Sequence, residues 1–265
     1  MADEPPFTRE IARSILAHPV NPFYRIEEQQ HPWGTSFPRQ HAPFMRIWDG
    51  WSGSQPTENN RLLSRLAPRL LDTRAIRKEY LTIHADHSIW KDTPFISFTD
   101  SPDEVESLVQ RRESNRGPQT LTVINPNVRR HLGLPVLHMG SELIYYGIPD
   151  PYSRNDAYYK RHYLCLFEVT AQEIVGHWDW DDLDGNWYQD VILPAFLQHD
   201  RAFTECGLLD MSSLTAALPV GSNPRLPMPS IATDEEEHEV TEDVDDSSDS
   251  DGDAEQDSDS DALAV

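Results

Sequence analysis

Three short polar motifs contain the residues most able to do chemistry, and they follow one another along the chain. They are Tyr24-Arg25, then Pro94-Phe95-Ile96-Ser97 with Thr99 two residues further on, then His162-Tyr163-Leu164. The apolar residues around them predict strands, so a cation, two hydroxyls and an imidazole would be held on one sheet. Because each motif alone is short, only their joint order points to a shared site.

Other groups of polar residues do not match a known metal-binding or catalytic motif. The acidic segment 178–185 ends in glycine, but aligning Gly185 with the glycine of an EF-hand loop puts Trp180 and Val191 at ligand positions, which excludes that loop. His84 and His87 suit one helix face, but no further ligands lie at zinc-site spacing. The phosphate-loop, dinucleotide, HExxH and GxSxG motifs do not occur, which leaves open a Ser or Cys hydrolase assembled from distant residues.

The second motif leads directly into a helix start. Ser101-Pro102-Asp103-Glu104 has the pattern of a capping box with proline at the first helical position. This strand-to-helix corner, with an arginine on an earlier strand, resembles the ADP-ribosyltransferase fold and, more closely, a fungal domain family of unknown function built on it. The resemblance covers residues 20–180, and it departs from the family pattern at His162, where the family has Glu.

The resemblance implies that NAD is the cofactor. It makes Arg25 the anchor for the NAD phosphates or ribose, and Ser97 and Thr99 the hydroxyls that brace the cleft. A transferase of this kind also needs a carboxylate, because breaking the bond between nicotinamide and ribose creates an oxocarbenium-like centre. His162 cannot supply that negative charge, and Glu142 could do so only if the preceding segment folds over the cleft.

Each of these residues also has an ordinary structural interpretation. Arg25 could form an ion pair with Glu27 or Glu28 on the surface. Ser97 and Thr99 could be plain strand residues, because threonine favours strands and serine often bonds locally beside a helix start. Likewise, Cys165 lies in an alternating apolar segment, which predicts a buried structural thiol.

Charge divides the chain into two parts. The formal net charge is −23, but residues 234–265 hold sixteen acidic residues and no Lys or Arg, which leaves 29 acidic and 22 basic residues before them. A folded part that is only mildly acidic gives no electrostatic footprint for nucleic acid or an anionic membrane. Without a signal sequence or an apolar run of membrane-spanning length, we expect a cytoplasmic or nuclear protein.

Periodicity predicts an α+β domain over residues 1–218, with a small, mainly antiparallel sheet, flanking helices and no strict strand–helix alternation. The expected helices cover residues 8–17, two pieces of 57–83, 102–114, and 186–203 with a break at Pro194. The expected strands cover residues 23–28, 94–99, 119–124, 143–148 and 163–169, and 29–57 is predicted to be irregular. Residues 219–265 are predicted to be a disordered acidic tail, in which Ser248, Ser250 and Ser258 suit acidophilic kinases.

Three functions remain at this point. The first is a degenerate transferase-like domain that binds a ligand or a protein partner of unknown identity. The second is an active mono-ADP-ribosyltransferase that uses NAD. The third is a binder of basic, histone-like proteins through residues 234–265, and it predicts salt-sensitive binding.

Overall fold

The computed structural model describes residues 6–17, 26–34, 37–152 and 159–216, with the side chains of 114, 115 and 206–216 left aside. Its strands are β1 (Phe44–Trp48), β2 (Leu62–Leu63), β3 (Phe95–Thr99), β4 (Thr120–Ile124), β5 (Val136–His138), β6 (His162–Leu166), β7 (Glu168–Val169) and β8 (Ile174–Asp179). Its α-helices are α1 (Arg9–Leu16), α2 (Glu27–Gln30), α3 (Arg74–Ala85), α4 (Pro102–Arg116), α5 (Pro126–His131), α6 (Met139–Tyr146) and α7 (Leu193–Ala216).

Six strands form one antiparallel sheet in the order β5-β6-β3-β1-β4-β8, and β2 and β7 form a separate antiparallel pair. The helices flank this sheet, which confirms the predicted α+β class with a mainly antiparallel sheet. The two motif strands β3 and β6 are hydrogen-bonded neighbours, and their register sets Thr99 opposite His162 and Ser97 opposite Leu164. The second and third sequence motifs therefore meet in the sheet.

The corner between β3 and α4 forms as the sequence predicts. Phe95, Ile96 and Phe98 are buried, while the hydroxyl positions between them are partly open. Ser101 caps α4 by accepting a hydrogen bond from the Glu104 backbone N–H, and Pro102 occupies the first turn, where its missing N–H costs nothing. The side chains of β3 are therefore positioned close to the start of α4, which begins three residues after the strand ends.

Strand β1 lies near the middle of the sheet, between β3 and β4, within a region that the sequence predicts to be irregular. It pairs with β4 over five residues, and Phe44, Met45 and Ile47 are buried. The prediction failed because the apolar run is only five residues long and is surrounded by Pro, Gly, Ser and Trp, the composition of a loop. As a result, the sequence does not identify Arg46 as a site residue.

Three further predictions of secondary structure are wrong. Residues 143–148 are mainly helix α6, which His138 caps and which ends at Gly147 in the left-handed conformation (φ 58°), the glycine-favoured way to end a helix. The described part of residues 23–28 contains the start of α2 and not a strand.

In residues 57–83, the predicted helix before Pro68 is absent from the described structure, and the segment contains β2. Pro68 and the polar residues beside it break the helical spacing of the leucines.

The other predicted helices are confirmed in outline. Thr8 caps α1 as expected, and its hydroxyl accepts from the Ile11 N–H. Near the C-terminal end of the described residues, a π-helical turn over Tyr188–Ile192 runs into α7, so that Pro194 lies in the first turn of α7. Residues 217–265 lie outside the described residues, and the disordered tail stays a prediction. Within the described residues, no helix has the length and apolarity needed to cross a membrane.

A buried ion pair ties α5 to the sheet. Arg129 and Glu173 have no exposed side-chain surface, and their closest N–O distance is 2.9 Å. The Arg129 guanidinium also donates to the backbone carbonyls of Pro135, Leu166 and Glu168. One arginine therefore satisfies four acceptors from three segments of the chain.

We predict that Arg129→Met destabilises the protein by about 3 to 5 kcal/mol, because it leaves the Glu173 carboxylate buried without its cation and three carbonyls without their donor. Urea denaturation followed by circular dichroism measures the change. Arg130→Met is the matched control, since Arg130 is exposed on the same helix and its loss should change stability by less than about 0.5 kcal/mol. Equal stability of the two variants would contradict the role given to Arg129.

Candidate functional site

A cavity of about 850 Å³ is lined by residues of β1, β3, α3 and α4 and of the loops that follow β1 and α3. Its lining is rich in cations and imidazoles. The cations are Arg46, Arg65, Arg111, Arg112 and Arg116, and the imidazoles are His84, His87 and His162. The lining acids are Glu104 and Asp86. The cavity is therefore a positively charged site.

Arg46 is positioned by the central strand β1. Its Nη1 donates to the Ser97 carbonyl at 3.2 Å, its Nη2 donates to the Ser54 carbonyl at 3.4 Å, and its buried Nε has no hydrogen-bond partner within the described part of the chain. No carboxylate of the described residues lies within ion-pair distance of this guanidinium. Burial, and then the charge of Arg112, lower the pKa of Arg46 to about 10. The negative charge of Asp49 acts in the opposite direction on this pKa, so the described residues balance the charge of Arg46 only in part and not through a direct ion pair.

Helix α4 adds arginines on the side of the cavity facing β1. Arg112 and Arg116 both approach the buried Asp49 carboxylate, at 3.5 and 3.6 Å, and Arg112 also donates to the Ile47 carbonyl. Two of the lining arginines therefore share one buried carboxylate. Arg111 lies on the same helix and also lines the cavity.

A histidine from α3 holds the hydroxyls of the β3 segment. His84 Nε2 lies 2.6 Å from Ser97 Oγ, and His84 Nδ1 lies 2.8 Å from Thr93 Oγ1. Burial, and then the positive charges of His87 and Arg46, lower the pKa of His84 to about 3. A neutral ring has one donor and one acceptor nitrogen, so it fixes the directions of both hydroxyls together.

A second cluster joins Thr99, Glu104 and His162. The Thr99 hydroxyl donates to Glu104 Oε2 at 2.5 Å, and His162 Nε2 lies 3.1 Å from the same oxygen. Burial of the Glu104 carboxyl opposes its ionisation, but the hydrogen bonds from His162 and Thr99 outweigh that effect and lower its pKa. The cavity therefore contains an ionised carboxylate beside an imidazole.

Two tryptophans at the cavity present their rings to solvent. Trp51 follows β1 and is 75% exposed, and Trp90 follows α3 and is 70% exposed. Tryptophan rings this open to water offer an apolar face that a ligand at the cavity could contact. They give the charged cavity an aromatic border.

Three of the residues singled out from sequence lie together here, since Ser97, Thr99 and His162 all line the cavity. Glu142 does not line it, because its carboxylate accepts from Trp33 Nε1 at 2.8 Å and lies 2.9 Å from His31 Nε2, against the buried cluster on α6. Arg25 lies outside the described residues, so its role stays a prediction. The buried thiol of Cys165 has a pKa raised to about 12 by burial, as a structural cysteine should.

Sequence reasoning missed Arg46, Glu104 and the contacts of His84. Arg46 had a weak signal, since it interrupts the apolar run Phe44–Trp48. Glu104 was assigned only to the capping box, although its side chain turns instead to Thr99 and His162. His84 was noted for its spacing to His87, but within the described residues no group of three or more His, Cys, Asp or Glu is placed to hold a metal ion.

Comparison with known families gives one result. Residues 44–183, more than half of the chain, match the family described as a domain of unknown function, DUF7587. The chain belongs to this family, and the matched region begins at β1 and contains all the cavity residues named above. A search among curated proteins finds no match.

We predict that Glu104 titrates below the ordinary glutamate value of about 4.3, and that Thr99→Val raises its pKa by removing a hydrogen bond to the charged form. NMR titration of the Glu104 carboxyl carbon measures both values. A lowered folded-state pKa stabilises the protein above the unfolded pKa, and this stability is lost as the pH falls through the folded value.

The stability difference between wild type and Glu104→Gln should therefore shrink as the pH falls from 6 toward 3. Glu58→Gln, a change at an exposed glutamate, is the control and should show a smaller dependence on pH. A Glu104 pKa at or above the ordinary value would contradict the geometry described for this cluster.

Proposed function

We propose that this domain is a binding module for a small phosphorylated ligand, which occupies the arginine-lined cavity. The observation that carries the proposal is Arg46, a half-buried arginine whose buried Nε has no hydrogen-bond partner and whose guanidinium has no carboxylate within ion-pair distance among the described residues. Holding this charge partly away from water costs free energy, because no carboxylate of the described residues forms an ion pair with it. A ligand phosphate is the partner that this geometry lacks.

Phosphate suits the rest of the lining as well. Arginine forks form paired, charge-assisted hydrogen bonds with phosphate oxygens, and α4 presents Arg111 and Arg112 beside Arg46. The hydroxyl of Ser97, held by neutral His84, adds a polar contact. These groups would bind the anionic part of the ligand while Trp51 and Trp90 stack on an aromatic part.

NAD is the first ligand to test. The volume of about 850 Å³ is within the range of small-molecule and cofactor pockets, and NAD combines a pyrophosphate with two aromatic rings. The resemblance of the three sequence motifs to ADP-ribosyltransferases supports the same choice. On this proposal Arg46 takes the anchoring role that the sequence suggested for Arg25.

A mono-ADP-ribosyltransferase is the second candidate, and Glu104 favours it. The carboxylate that the third motif lacks is supplied to the cavity by α4, next to His162 and Thr99. A carboxylate at this place could stabilise the oxocarbenium-like centre at the nicotinamide ribose. The two candidates differ in one observable, which is release of nicotinamide.

We predict that Arg46→Met abolishes binding of NAD or of inorganic pyrophosphate and leaves the protein as stable as wild type or more stable, because methionine fills the space without a buried charge. Isothermal calorimetry on the full chain measures binding, and urea denaturation measures stability. Arg13→Met, on the exposed face of α1, is the control and should bind like wild type.

Arg25→Ala in the same calorimetry assay tests the anchor suggested by the sequence. Loss of binding in Arg25→Ala with normal binding in Arg46→Met would contradict the proposal. So would a wild-type protein that binds none of these phosphates.

The transferase candidate predicts that incubation with NAD releases nicotinamide, and that Glu104→Gln lowers the rate at least about 100-fold while NAD still binds. Chromatography of the reaction mixture measures nicotinamide, and Glu58→Gln serves as the control. Binding of NAD without release of nicotinamide would reject the transferase and keep the binding module.

The third function proposed from sequence, contact with basic proteins, depends on residues 234–265 alone. If it is right, histone binding should weaken as salt rises and disappear when those residues are deleted. Binding measurements at two salt concentrations, with and without the segment, test it. Binding that survives the deletion would reject this role for the segment.

A further inference from the structure

Two tryptophan rings at the cavity remain open to solvent. Trp51 is 75% exposed and Trp90 is 70% exposed, and both line the cavity. Within the part of the chain that the structure describes, neither indole ring forms a hydrogen bond, an aromatic ring contact or a cation–π contact. Both rings are therefore available to contact a ligand.

The loop that carries Trp51 is held in shape by Asp49. Asp49 Oδ1 accepts from the Trp51 backbone N–H at 2.9 Å and from the Ser52 hydroxyl at 3.2 Å. The side-chain amide of Gln55 donates to the carbonyls of Asp49, Gly50 and Ser52, each at 3.1 Å. These contacts fix the loop backbone, so the Trp51 side chain leaves it from a defined position.

Arg65 connects this loop to the segment that carries Trp90. Its Nη2 donates to the Lys91 carbonyl at 2.7 Å, and its Nε lies 3.7 Å from the Asp92 carboxylate. Its side chain also passes so close to Gly53 that a β-carbon added there would lie 3.0 Å from Arg65 Nε. With roughly 1.3 to 1.5 Å for each bond, the Gly53 Cα is no more than about 10 Å from the Lys91 carbonyl oxygen. The two tryptophan-bearing segments therefore meet at Arg65.

Two indole rings on adjoining segments suit a planar aromatic group. Tryptophan offers a large, rigid apolar face, and nucleobases stack on such faces because every nucleobase has a π-face. Arg46 lines the same cavity and is half-buried, whereas the two tryptophans lie at its exposed border. A nucleotide has the two parts that this arrangement fits, an aromatic base and a phosphate joined through one sugar.

We propose that Trp51 and Trp90 form an aromatic clamp for the base of a nucleotide, and that Arg65 is the positioning residue that brings the two rings together. The inference rests on the proposed function, because the phosphates of the same ligand would occupy the arginine-lined part of the cavity. It narrows the ligand class from phosphorylated compounds in general to nucleotides. ADP is the probe with a base, and inorganic pyrophosphate is the probe without one.

The experiment is isothermal calorimetry on the full chain with each probe. We expect ADP to bind at least about 10-fold more tightly than pyrophosphate, because stacking of the base adds to the phosphate contacts. Trp51→Ala and Trp90→Ala should each remove most of this preference and leave the affinity for pyrophosphate unchanged. Ile144→Ala is the control, since Ile144 is 74% exposed but lies outside the cavity lining, and it should keep the preference.

A pair of glycine variants tests the positioning role of Arg65. Gly53→Ala places a methyl group against the Arg65 side chain, which must move, whereas Gly50→Ala in the same loop adds a methyl group in open space. Gly53→Ala should lower the preference for ADP several-fold, and Gly50→Ala should not change it. Both variants keep every charge of the cavity, so their affinity for pyrophosphate reports separately on the arginines. An equal preference for ADP in the two variants would contradict the role given to Arg65.

The remaining outcomes separate this inference from the proposed function. Binding of pyrophosphate without a preference for ADP would overturn the clamp and leave the phosphate-binding module intact. No binding of either probe would overturn both. A preference that only one of the two tryptophan variants loses would also overturn the clamp, because the base would then stack on a single ring.

Discussion

The site depends on the constraint that β1 imposes on Arg46. A strand in the middle of a sheet cannot easily move, so the guanidinium stays beside backbone carbonyls and the other arginines that line the cavity. Carbonyl oxygens satisfy some of its hydrogen bonds but bring no negative charge. The other features of the cavity become understandable from this starting point, because a site with an excess of fixed positive charge selects ligands that carry negative charge.

A comparison with Arg129 shows why Arg46 points to a ligand. Both arginines leave strand or helix positions to donate to backbone carbonyls, but Arg129 also meets Glu173 at 2.9 Å. The contacts of Arg129 are complete within the protein, and they serve stability. Arg46 has no ion-pair partner within the described residues, and a half-buried charge without one persists where function outweighs its cost in stability.

Sequence reasoning recovered the part of the site that local pattern determines. Alternating burial in β3 and the Ser101 cap of α4 are set by neighbours within a few residues, so Ser97 and Thr99 could be placed on a strand that ends at a helix. Thr99 lies opposite His162 because of the register between β3 and β6. The sequence does not give that register, since the two motifs are far apart along the chain. Their order along the chain was enough to propose a common site.

The parts of the fold and the site that the sequence did not predict depend on contacts between distant segments. Strand β1 is too short an apolar run to be distinguished from a loop. Its pairing with the distant strand β4, in which Arg46 lies opposite Thr122 and Trp48 opposite Thr120, is what makes it a strand. Leu143 and Ile144 suit a strand by propensity, but capping by His138 and Gly147 and packing on α3 make that segment helical. Glu142 consequently turns to Trp33 and His31, and Glu104 is the acid that reaches the cavity.

The most direct test of the central claim is an NMR titration of wild-type protein with inorganic pyrophosphate, following the Nε–H resonances of the arginines. If ligand phosphate is the missing partner of Arg46, its Nε–H resonance should shift in a saturable way, together with resonances of Arg111 or Arg112, while that of Arg129 stays in place. An unchanged Arg46 resonance at saturating pyrophosphate would contradict the account.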